Sequence, residues 1–112
     1  MSEQEKLVNE TLEEINAYLP KMIEGIGGFV GSQLEGQESK KLLSNIFDGL
    51  EWIAQAVSLT NKFKPGEMKE QELLEIFPVL IKAYENNDFV LVGDILDYEI
   101  KPVLEKWAAQ MQ

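Results

Sequence analysis

Cysteine, histidine and arginine are all absent from this chain of 112 residues. Without cysteine there are no disulfides, no thiolate nucleophile and no Cys-ligated zinc. Without histidine the commonest general base and the usual metal ligand are missing, together with the hub of any Ser-His-Asp arrangement. The lack of arginine removes the side chain best suited to bidentate contacts with phosphate or guanine. Cations are also scarce: ten lysines face twenty acidic residues, a net charge of −10, and such a field repels nucleic acid and anionic membranes. No apolar run approaches the roughly 20 residues of a bilayer span. The opening Met-Ser-Glu-Gln-Glu-Lys is acidic and polar, unlike the basic and then apolar start of a secretory signal. These absences predict a cytoplasmic, non-catalytic protein that binds no nucleic acid, no membrane, no metal and no other cofactor.

What is present is helical periodicity. Val8, Leu12, Ile15, Leu19, Met22, Ile26 and Phe29 recur at steps of three and four, the spacing of one helix face. Ser2 and Glu5 form a capping-box pattern ahead of that run. A second seam carries Leu43, Ile46, Phe47, Leu50, Ile53, Ala54 and Val57, and a third carries Leu73, Phe77, Leu80, Ile81 and Tyr84. Between these two runs lies the turn signal Pro65-Gly66. The sequence Asn86-Asn87-Asp88 ends the third run and supplies an N-cap for the fourth, which buries Phe89, Val92, Leu96, Ile100, Val103, Trp107 and Met111. The expectation is an all-α, four-helix bundle-like single domain over 1–112, with helices at about 3–30, 36–60, 67–85 and 88–110. Phe29, Phe47, Phe77, Phe89 and Trp107 should share one core.

Two features strain this pattern. Pro20, Pro78 and Pro102 fall inside it, where proline removes a backbone donor and costs about 3 kcal/mol. The apolar spacing continues across all three, which predicts proline-kinked helices rather than breaks. Gly25, Gly27, Gly28 and Gly31 each weaken a helix by about 1 kcal/mol relative to alanine. They predict that the first helix is weakened or broken before Ser32. An internal echo, Glu-Ile-x-Pro-Val-Leu-x-Lys at 75–82 and again at 99–106, marks two related helices but too few copies for a solenoid.

The motifs of catalysis and metal binding fail on inspection. The glycine cluster has Val30 where a dinucleotide-binding loop needs glycine, and Gln37 stands where a phosphate loop needs lysine. Residues 89–94 resemble a buried strand but have no partner strands, and they run on into helical spacing. Asp94 and Asp97 share a helix face, yet di-iron bundles need the histidines this chain lacks. The turn at 86–88 lacks the ligand pattern of an EF-hand.

One pattern is left over. Trp52 points about 180° from the core seam of its helix, and Gly49, Ala56 and Leu59 extend it into a second stripe. Leu91, Ile95 and Tyr98 form a weaker counterpart on the last helix. A helix apolar on two faces is either central in its own fold or half of an interface. The interface reading predicts a protein–protein interaction surface, occupied by a protein partner or by a second copy in a homodimer. The alternative is a small-molecule-binding protein, or an enzyme using Asp, Glu and Tyr groups in the bundle core. In size, acidity and helical content the chain resembles small bacterial helical chaperones and adaptors, flagellar export chaperones among them; no motif carries that likeness and it assigns no residue a role.

Overall fold

The computed structural model describes residues 2–31 and 37–111, the side chains of 37–39 excepted. Among these residues there are four long helical stretches and no strand. The first is α1 (Glu3–Gly31) and the second α2 (Gln37–Phe63). The third consists of α3 (Gln71–Leu74) and α4 (Phe77–Glu85), separated by a turn at 75–76. The fourth runs through α5 (Phe89–Ile95), a π-helical turn (Leu96–Ile100) and α6 (Lys101–Gln110). Helix α1 is the hub: it packs most extensively on α2, then on α6, the π turn and α5, while α4 packs on α5. The molecule measures 49 × 22 × 21 Å. Its length matches a 29-residue helix, which spans about 44 Å.

The core is the one the seams describe. Ile15, Leu19, Ile26, Leu43, Leu50, Ile53, Leu73, Leu80, Leu96, Ile100 and Trp107 are fully buried, and Phe29 is buried with them. Phe47, Phe77 and Phe89 are half-buried against this cluster, with Tyr84 edge-on between Phe47 at 5.2 Å and Phe89 at 6.3 Å. Ile81 departs from expectation: it is 49% exposed, although the third seam placed it inward. Leu104 is buried while Val103 is only half-buried. The π turn lies just before them, and its extra residue per turn rotates the following positions, bringing Leu104 inward in place of Val103.

The expected weak point of α1 is helical throughout, which corrects the reading of the glycine cluster. Helix α1 continues to Gly31, with Met22, Ile26 and Phe29 buried along its last turns. Burying two such side chains as Ile26 and Phe29 is worth about 3–6 kcal/mol, comparable with the roughly 4 kcal/mol of glycine penalties. The glycines also make no close approach, since nothing lies within 4 Å of a Cβ built on any of the four. Gly27→Ala and Gly28→Ala should therefore each stabilise the protein by about 0.5–1 kcal/mol, read as a higher urea midpoint at unchanged slope. A lower midpoint would show that these positions are not free helix surface. The loop expected before Ser32 is helix as far as Gly31, and residue 36 as the start of the second helix lies outside the described residues.

Proline positions show how the chain absorbs them. Pro20 stays within α1. Pro78 and Pro102 are each the second residue of their segments, α4 and α6, where a missing N–H matters least. In both copies of the echo the irregularity sits on the preceding Glu-Ile pair: the turn at 75–76, and the π turn, where the Lys101 N–H donates to the carbonyl of Leu96, five residues back. The repeated motif thus encodes a repeated local interruption, followed two residues after the proline by a buried leucine, Leu80 or Leu104.

Side chains fix the ends. The Glu5 N–H donates to Ser2 Oγ at 3.2 Å, one arm of the expected capping box, and the Leu91 N–H donates to Asp88 Oδ1 at 3.1 Å. Asn87 takes the left-handed conformation, φ 56°, between α4 and α5. Asn61 organises the connection after α2: its amide donates to the Met68 carbonyl and to Glu70 Oε2, each at 2.7 Å, and its Oδ1 accepts from the Gly66 N–H at 3.0 Å. The Asn61 hydrogen bond holds the Glu70 carboxyl below the usual carboxylate range.

Candidate functional site

The second stripe of α2 divides between core and surface. Gly49 is buried beneath α1, where a Cβ would collide with Met22 Cε and Tyr18 Oη. Its lack of a side chain lets α1 and α2 approach closely, so it belongs to internal packing. Ala56, about two turns further on, is buried as well. Both lie on the flank of α2 that faces α1, which is why helical phase alone placed them opposite the core. Trp52 and Leu59 do reach the surface, at 37% and 42% exposure. Tyr18 covers one edge of Trp52 in a T-shaped contact, with ring centroids 5.3 Å apart. On α5 and the π turn the expected stripe also splits. Ile95 is buried in the core, whereas Leu91 and Tyr98 are exposed.

A concave feature that helical phase does not reveal lies on the other flank of α2. Helices α2 and α4 are not among the closely packed pairs. Between them runs an apolar groove of about 740 Å³, floored by Leu50, Ala54 and Leu80 and walled by Leu59, Leu74, Phe77 and Ile81. Glu51, Gln55, Ser58 and Lys62 of α2 supply its polar edge. The helices run antiparallel along it, since Phe47 meets Tyr84 at one end and Lys62 shares the other with Leu74. The apolar surface continues past Phe77 and Pro78 to Lys82 and Glu85. Leu74, Phe77 and Ile81 form a second apolar line on the third stretch beside the core line Leu73, Leu80 and Tyr84. That two-faced pattern was the available signal, and it was absorbed into a single seam.

Among the described residues no three acidic, histidine or cysteine side chains gather where they could hold a metal. No described helix is long and apolar enough to cross a membrane. Asp97, one of the paired carboxylates, is engaged with Lys101 at 2.8 Å, and that hydrogen bond raises the lysine's pKa. Lys106 pairs with Glu72, tying α6 to α3. The arrangement offers apolar adhesion with a polar border.

The fold and groove define a small all-helical protein with one apolar seam open. Residues 10–110 match the profile of a family described as a domain of unknown function, DUF8042, and the chain belongs to that family. No curated protein and no solved structure matches it.

Proposed function

We propose that this is a cytoplasmic, non-catalytic interaction protein, whose contact surface is the outer side of α2 together with the groove it shares with α4. The four helical stretches then form a bundle, bent at its prolines, with the α2–α4 seam left for a partner. The observation that carries this reading is the placement of Leu59, Leu74 and Ile81, all exposed, along both walls of one apolar groove. Apolar surface gathered in this way marks contact sites, whereas scattered exposed residues need no explanation. An amphipathic helix laid in such a groove would bury its apolar face and leave its polar face in water. The volume also suits a small molecule, but the groove is open along its side and its few polar groups stand on the rim. That favours a macromolecular occupant.

A photo-crosslinking residue placed at Leu59 or at Ile81, in the native host, should give a discrete protein adduct. The same residue at exposed Glu13 of α1 should give none. Equal labelling from all three positions, or none from any, would remove the reading.

A further inference from the structure

We infer that the outer face of α2 binds a second copy of this chain, its α2 running antiparallel about a two-fold axis at Gln55. This deepens the interaction reading and rests on it. Asp48, Trp52, Gln55, Leu59 and Lys62 are all exposed and follow steps of four, three, four and three, the spacing of a two-helix seam. The order along this stripe is acid, aromatic, amide, aliphatic, base, and it is self-complementary on reversal. With Gln55 on the axis, Asp48 meets the second copy's Lys62, Trp52 meets its Leu59, and the two Gln55 side chains face each other. Every pairing occurs twice, as an isologous interface requires. Reversed in direction, the stripe sets opposite charges together at both ends and apolar groups together between them. Laid parallel, it would set Asp48 on Asp48 and Lys62 on Lys62.

The side chains are free to pair in this way. Asp48 and Lys62 have no ion-pair partner among the described residues. Tyr18 borders the stripe beside Trp52, and Leu74 and Ile81 border it across the groove, so both flanks add apolar contact. The seam also explains how a chain of net charge −10 can meet itself: general repulsion is countered where two lysines are placed against two carboxylates.

The absence of cysteine makes a direct probe available. Gln55→Cys, at the axis, should oxidise to a covalent dimer, while Glu13→Cys at the same concentration should stay monomeric. By sedimentation equilibrium the parent should be a reversible dimer. Asp48→Lys and Lys62→Asp should each weaken dimerisation at least about tenfold, and the double variant should recover to within about threefold of the parent. All three variants should keep the parent's circular dichroism, since both positions are exposed. A parent that is monomeric at about 0.5 mM, or a dimer indifferent to both reversals or not rescued by the swap, overturns the inference. If the parent is monomeric while Leu59 and Ile81 still crosslink to a protein of another mass, the interaction reading stands and only the second copy falls.

Discussion

Replacing Trp107 by alanine is expected to lower the free energy of unfolding by about 3–5 kcal/mol. Trp107 has no exposed surface and is the largest of the fully buried side chains. It lies on α6, which packs against α1, so the cavity would open between the hub helix and the last stretch. Its Nε1 is buried without a hydrogen-bond partner among the described residues. Lost packing and transfer free energy therefore account for the cost, with no lost hydrogen bond. A domain of this size has about 5–15 kcal/mol in hand, so the variant should be marginal rather than unfolded. Urea denaturation followed by circular dichroism reads the change directly. A midpoint equal to the parent's would mean that Trp107 is not in the core.

Leu50→Asp should do more and abolish the cooperative thermal transition. Leu50 is 1% exposed, beneath the groove and against the core, so a carboxylate there would be taken out of water. A buried unpaired charge costs several kcal/mol even after relaxation, added to the lost burial of the leucine. At a concentration where the parent is dissociated, Leu59→Asp, nine residues further along α2 on its outer face, should leave the transition within about 1 kcal/mol of the parent. The contrast tests whether α2 has one inner face and one outer. Two variants that unfold alike would place Leu59 inside. Two that fold alike would mean that α2 does not pack as described.

Much of this architecture was legible in the sequence. Ile15, Leu19 and Ile26 on α1, and Leu43, Leu50 and Ile53 on α2, are buried where a period of 3.6 residues put them. Asp88 caps α5 because its carboxylate can reach the Leu91 N–H, a relation local to three residues. Errors arose where a neighbour outweighed local preference. The glycines of α1 argue for a frayed end when weighed alone, but Ile26 and Phe29 are held by the rest of the molecule. Gly49 and Ala56 read as part of a second apolar stripe, core or interface, and they lie inside, Gly49 beneath Tyr18 and Met22 of α1. Ile81 read as core, yet α2 stands off from it across the groove and leaves it half exposed.

The sequence by itself determined that the chain is helical, where the four stretches lie, and which side chains must leave water, because hydrophobic periodicity and capping act within a few residues along the chain. It also set the order of charge and apolar groups on the outer face of α2. The tertiary structure alone decided which pairs of helices close and which pair stays apart. That choice depends on how bulky and small side chains meet between segments distant in sequence, as Gly49 does with Tyr18 and Met22. The groove between α2 and α4 is a product of that choice: the second apolar line Leu74, Phe77 and Ile81 marks an open face on the third stretch, but not which helix borders it.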